Sequence, residues 1–207
     1  MKKTFFSALM LLFTLTVCAQ DYTHSIGVNV GSMYGVSYKG FIFGVDGLAL
    51  QADLGVRLGI TSKAVSGNFY VKVGGTNTHA TYSELWCDPV YFTFEANPNI
   101  IYQSNIASWD FGSLDWYAGG GVSLGLMKWA DNWGNISKAD VDGKFGINAI
   151  GGLELGFSGA PLALSLDLRP GYGLMFGNDK DNELGTETRW DASFFDWALV
   201  AGLRYCF

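Results

Sequence analysis

The strongest constraint on this chain is an alternation of period two that persists through most of its length. From Leu48, one set of positions holds Leu48, Leu50, Ala52, Leu54, Val56, Leu58 and Ile60, and the other holds Ala49, Gln51, Asp53, Gly55, Arg57 and Gly59. After Pro161 the split recurs, with Leu162, Leu164, Leu166 and Leu168 set against Ser165, Asp167 and Arg169. The C-terminal stretch repeats it: Trp197, Leu199, Ala201, Leu203, Tyr205 and Phe207 alternate with Asp196, Gly202 and Arg204. Only a pleated strand sends successive side chains to opposite sides in this way. Similar segments run over His24–Gly31, Gly35–Phe43, Tyr91–Gln103, Leu114–Met127 and Lys144–Phe157. The expectation is eight strands, most of them longer than the usual five or six residues and close to the length that crosses a bilayer at a tilt.

The connections differ in length by turns. Gly44–Gly47 and Ser158–Pro161 are expected to be tight, and Ser104–Ser113 moderate. Thr61–Val90, Lys128–Gly143 and Gly177–Trp190 are long and polar, and only Ser32–Tyr34 breaks the scheme by being short. Short turns at one end and long loops at the other belong to a membrane barrel rather than a soluble meander. Within Thr61–Val90, the alternation at Phe69–Val73 is expected to extend a hairpin above the membrane.

The phase of the alternation decides between a soluble barrel and an inverted one. Only 15% of residues are charged, against about 25% in an average soluble domain. The polar phase is small and sparse, which suits an interior better than a watery exterior. Taken as interior, it sets Lys39, Arg57, Arg169 and Arg204 against Asp53, Glu95, Asp115, Glu154, Asp167 and Asp196. In a lumen just wide enough for side chains these must form a paired network, because an unpaired buried charge costs several kcal/mol. Glycines such as Gly119, Gly120, Gly121, Gly151 and Gly152 leave room for the long side chains. Aromatic residues gather near strand ends as two expected belts. Trp86, Phe92, Trp129, Phe145, Phe176, Trp190 and Phe194 lie toward the long loops, and Tyr22, Phe43, Tyr102, Trp116, Phe157, Tyr205 and Phe207 toward the short turns. Cys87 and Cys206 then fall at opposite ends, too far apart for a disulfide.

At the N-terminus, Lys2 and Lys3 precede an apolar run from Phe5 to Val17, with Val17 and Ala19 placed for cleavage before Gln20. That run is too short for a membrane helix. Val17, being β-branched, poorly fits the small-residue slot before a lipidated cysteine at Cys18. The expected organisation is therefore a signal peptide over 1–19 and one barrel domain over 20–207. The formal net charge of −6 excludes a basic nucleic-acid interface. Three cysteines without a CxxC pair exclude a disulfide scaffold and a structural zinc site.

The last residues, Gly202-Leu203-Arg204-Tyr205-Cys206-Phe207, resemble the C-terminal signal of bacterial outer-membrane barrels, although Val200 stands where that signal prefers a polar residue. The mature chain resembles small eight-stranded barrels of the OmpA/OmpX type. It is most similar to the Bacteroidetes outer membrane beta-barrel family, in Gly35–Lys39 and Pro161–Pro170. The resemblance implies a closed eight-stranded antiparallel up-and-down transmembrane β-barrel with three long extracellular loops, exported to the outer membrane. It implies recognition of Gly202, Tyr205 and Phe207 by the barrel-assembly machinery, and contact with outer-membrane lipid and lipopolysaccharide. Fold does not fix function. The leading expectation is a structural or surface-interaction role, with Trp86, Trp129 and Trp133 as candidate loop contacts. The alternatives are a narrow porin-like solute channel, an accessory barrel of a secretion system such as the type IX pathway, and a lipid-modifying rim enzyme. Lipid A palmitoyltransferase and deacylase barrels use a rim histidine with a serine or acidic partner. Here His24 falls at the turn end, and His79 sits in a polar loop with Thr78, Thr81, Ser83 and Glu84, where nothing fixes a catalytic geometry. Asp179–Glu183 offers oxygen ligands but lacks the glycine and distal glutamate of a calcium loop. No catalytic residue, cofactor or metal is therefore expected.

Overall fold

The computed structural model describes residues 22–42, 44–58, 62–73, 76–83, 91–129, 142–181 and 186–207. The expected signal peptide lies outside them. The described strands are β1 (His24–Gly31), β2 (Met33–Phe41), β3 (Leu48–Leu58), β4 (Ser62–Val73), β5 (Thr76–Ser83), β6 (Tyr91–Trp109), β7 (Gly112–Trp129), β8 (Asp142–Phe157), β9 (Leu162–Asp181) and β10 (Thr186–Cys206). Eight of them follow one another up and down in the antiparallel order β1-β2-β3-β6-β7-β8-β9-β10, and β1 then pairs with β10 from Ser25↔Cys206 to Gly31↔Val200. The hydrogen-bonded ladder thus returns to its first strand. At the seam His24 N–H donates to Phe207 O at 2.9 Å and Phe207 N–H to His24 O at 2.8 Å.

Burial follows the alternation. On β9, Leu162, Leu164, Leu166 and Leu168 stand outside, 38–52% exposed, while Ala163, Ser165, Asp167 and Arg169 are buried inside. The same inversion runs round the ring, with Ile26, Val28, Leu54, Ile100, Leu126, Ile147 and Leu203 outside and Lys39, Glu95 and Arg204 within. Two small apolar clusters plug the interior toward the loop end: Met127, Met175 and Phe194, and Met33, Ala198 and Val200.

Three expected connections turn out differently. Ser104–Ser113 is not a moderate loop: β6 continues to Trp109, β7 starts at Gly112, and Asp110–Phe111 form the turn. Its polar residues are satisfied within the strand pair, Asn105 Nδ2 donating to Asp115 Oδ1 at 2.8 Å and to Ala107 O at 3.2 Å beside a register shift. Gly177–Trp190 is largely strand, since β9 runs to Asp181 and β10 begins at Thr186. Thr61–Val90 holds a whole hairpin, β4–β5, with β4 bonded to β10 from Ser62↔Asp196 to Val73↔Thr186. The expected hairpin at Phe69–Val73 is present within β4–β5; polar composition concealed the rest, because beyond an apolar band both faces of a strand are solvated and alternation is no longer needed.

The two aromatic belts also need correction. Phe194 points inward with 1% exposure, in phase with Asp196. Tyr22 turns into the ring, where its hydroxyl donates to Glu154. Phe145 and Phe176 are exposed at the loop end, and Phe157, Tyr205 and Phe207 at the turn end. Tyr102 and Trp116 pack together outside, with ring centroids 6.0 Å apart. Trp109 and Phe111 add a stacked, exposed pair at the β6–β7 turn. Phe43, Trp86, Trp133 and Cys87 lie outside the described residues, as do the side chains of Phe92, Trp129 and Trp190. Trp129 ends β7, its backbone facing Tyr91.

Candidate functional site

The alternation that sends leucines outward sends every second polar residue inward, so the ring encloses a column of charge. All ten residues expected there, Lys39, Asp53, Arg57, Glu95, Asp115, Glu154, Asp167, Arg169, Asp196 and Arg204, are buried on the inner face. They separate into three groups along the axis.

Nearest the turns, Glu154 of β8 is the hub. Lys39 Nζ donates to its Oε2 at 2.6 Å and to Gln103 Oε1 at 2.8 Å. Gln103 Nε2 donates to Glu154 Oε1 at 3.1 Å and to Asp115 Oδ2 at 3.0 Å. Arg204 meets the same carboxylate across the ring, Nε to Oε2 at 3.5 Å, without a hydrogen bond. Tyr22 closes this group from below. Burial, and then the Glu154 charge, hold its phenol far above the ordinary tyrosine value, so it remains a donor.

In the middle, Arg169 joins two carboxylates. Its Nη1 donates to Asp53 Oδ2 at 2.9 Å, and its Nε and Nη2 grip Asp167. Tyr117 donates to Asp167 Oδ2 at 2.8 Å, and Asn29 to Asp53 Oδ1 at 2.8 Å. Toward the loops a four-membered square forms. Arg57 Nη1 donates to Asp196 Oδ2 at 2.6 Å and its Nε lies 3.1 Å from Glu95 Oε2. Lys144 Nζ donates to Asp196 Oδ2 at 2.8 Å and also to Glu95, while sitting 4.7 Å from the Phe194 ring centroid. A cavity of about 10 Å³ beside Arg57, Asn148, Arg169 and Asp196 has room for a single water at most.

Sequence reasoning missed Lys144, Tyr22, Tyr117 and Gln103 in this column, whereas Gln51 falls in the polar phase read as interior. The signal for Lys144 was present, because it stands in even phase with Glu154 on β8. Tyr117 and Gln103 share the inward phase of Asp115 and Ile101 on their strands. Tyr22 precedes β1, where no period exists to assign a face.

The remaining candidates lie apart. Gly202 is buried, and a Cβ there would come 2.4 Å from Ser165 Oγ, whereas Tyr205 and Phe207 are 52% and 58% exposed on the outer face. His24 Nδ1 is 2.8 Å from Tyr38 OH, and its ring packs on Phe207 at 5.8 Å. His79, 4.7 Å from the Tyr70 ring, stacks on it across the β4–β5 pair; Glu84 and the side chains of Thr81 and Ser83 lie outside the described residues. Asp179–Asp181 belong to β9 rather than to a loop, and Asn182 and Glu183 are outside the described residues.

No protein-family model and no curated protein matches the chain. In fold it is similar to the crystal structure of Neisserial surface protein A, at 13% identity and a TM-score of 0.41 over 89% of this chain and 93% of that one. It is also similar to a major outer membrane protein from Thermus thermophilus, at 15% identity and a TM-score of 0.48 over 91% of this chain and 100% of that one.

Proposed function

We propose that this chain is an integral outer-membrane β-barrel, exported by a cleaved signal peptide, with a lumen filled by paired side chains and a structural or surface-interaction role through its loop end. The inversion of burial carries this reading. Fully buried Lys39, Glu95 and Glu154 lie inside a wall whose outer face is leucine, isoleucine, valine and aromatic residues about half exposed. Leaving one such side chain in water forgoes roughly 1.5–3 kcal/mol, and dozens together would collapse or aggregate unless acyl chains surround them. No helix among the described residues is long and apolar enough to cross a membrane. The ion pairs and the Met127–Met175–Phe194 cluster support a plugged lumen rather than a wet path. The exposed Phe207 suits docking to the assembly machinery.

Heat-modifiability of the protein in a purified outer-membrane fraction tests this reading. A barrel with every backbone group paired resists SDS until boiled and then changes its gel mobility. Absence of a shift, with the protein in the soluble periplasmic fraction, would overturn the reading in favour of a lipocalin-like binder.

A further inference from the structure

The hairpin β4–β5 carries the outer wall beyond the apolar band. On β10 the outward phase runs from Leu199 through Trp197 and Phe195, all about half exposed. Higher on the same strand, the register places Tyr70 beside Arg189 and Lys72 beside Glu187, with His79 and Asn77 opposite them on β5. By the strand alternation Tyr70, Lys72, Asn77 and His79 therefore share the outward face of the Trp197 column. Six residues at about 3.3 Å each, tilted by about 45°, set Tyr70 roughly 14 Å beyond Phe195. That is the depth of lipid head groups when Phe195 and Trp197 face acyl chains.

The face is equipped for a polar ligand. Tyr70 is 43% exposed, and its ring stacks on His79 with an interplanar angle of 23°. Around this platform a recess of about 530 Å³ is bordered by Val71, Lys72, Asn77, Thr78 and Asp191, of which the paired Val71 and Thr78 stand in the opposite phase from Tyr70 and His79. An exposed ring takes the C–H face of a pyranose, the Asn77 amide can exchange hydrogen bonds with its hydroxyls, and the Lys72 ammonium can pair with phosphate.

We propose that the outer face of β4–β5 binds the phosphorylated sugar head group of the outer-leaflet glycolipid. Tyr70 and His79 stack on the sugar, and Lys72 meets its phosphate. The inference rests on the barrel reading above, because only that reading puts this sideways-facing recess at head-group depth. A glycan free in solution suits the same chemistry but not the position, since the recess faces along the membrane plane rather than out along the barrel axis.

The test titrates the purified full chain in detergent with rough-type lipopolysaccharide, followed by calorimetry, and separately with its deacylated core oligosaccharide. The native protein is compared with the Tyr70→Ala/Lys72→Ala/His79→Ala variant, whose heat-modifiable gel shift reports folding. The expected result is saturable binding of the lipid by the native protein, at least tenfold weaker in the variant, and at least tenfold weaker for the oligosaccharide. Equal lipid binding by two heat-modifiable proteins overturns this inference alone. Oligosaccharide binding as tight as that of the lipid overturns the glycolipid assignment in favour of a free glycan. A native protein without a heat shift overturns the barrel reading itself.

Discussion

The square formed by Arg57, Glu95, Lys144 and Asp196 offers a decisive test of the buried network, because it is electrically balanced and its side chains are at most 5% exposed. Lys144→Met keeps the length of the side chain but removes its charge, leaving two carboxylates with Arg57 as their only cation in the square. Glu95→Gln creates the opposite imbalance. Breaking one member of a buried pair costs about 3–5 kcal/mol, since the partner is stranded out of water. With a urea slope of about 2 kcal/mol/M, that lowers the unfolding midpoint by roughly 1.5–2.5 M. The double variant returns to balance through the Arg57–Asp196 bond of 2.6 Å. Its cost should fall well short of the sum of the single costs, by a coupling on the order of 3 kcal/mol. The assay is urea unfolding in detergent micelles, followed by tryptophan fluorescence and by gel mobility. Buried pairs are screened far less than surface ones, so 1 M salt should leave the coupling nearly unchanged. Single costs within about 0.5 kcal/mol, or costs that simply add, would show that water reaches these charges and would refute the reasoning.

Three further outcomes are expected. Leu166→Arg on the outer face of β9 should destabilise the protein by about 2–4 kcal/mol in lipid, whereas an exposed leucine of a soluble domain would tolerate it within about 0.5 kcal/mol; urea midpoints in vesicles distinguish these. Gly121→Ala should lower the stability by about 1–3 kcal/mol, because its Cβ would lie 2.0 Å from Pro98 O, while Gly151→Ala, with nothing within 4 Å, should be neutral in the same experiment. Phe207→Ala should reduce the heat-modifiable fraction in cells severalfold while leaving the stability of refolded protein within about 0.5 kcal/mol, as read by pulse-chase gels and urea titration.

Where one face meets an apolar surround and the other a packed interior, the sequence is forced into period two, and there it was legible. Leu162–Arg169 could be assigned face by face, and every residue of its polar phase lies inside. Legibility failed where one of the two environments changes. Phe194 sits in the polar phase because the interior becomes apolar near the loop end, where it caps Lys144 beside Met127 and Met175. An aromatic near a strand end therefore looked like part of a lipid-facing belt. Tyr22 and Asn105 act at the turn end, where strand order gives way to local hydrogen bonding. Lys144 is legible by phase alone, since it shares the inward phase of Glu154 on β8.

The β4–β5 hairpin follows from an imbalance of strand length that composition does not announce. β10 pairs with β9 from Thr186 to Tyr205, but on its other edge β1 reaches only as far as Gly31↔Val200. The rest of that edge, from Asp196 upward, would present unpaired N–H and C=O groups at the loop end of the wall. An exposed edge of that length is a template for pairing with another chain. β4 lies along it in register from Ser62↔Asp196 to Val73↔Thr186, with one bulge at Ser193/Phe194, and β5 folds back on β4. The short Ser32 connection between β1 and β2 and the long segment between β3 and β6 are thus one structural feature. The brevity of the first two strands leaves that edge of β10 open, and the hairpin inserted after the third covers it, ending in β5, which pairs with β4 alone among the described strands. This is why the chain that has the short Ser32 connection also has the long segment after β3, and why the described part of that segment, Ser62–Val73 and Thr76–Ser83, is sheet.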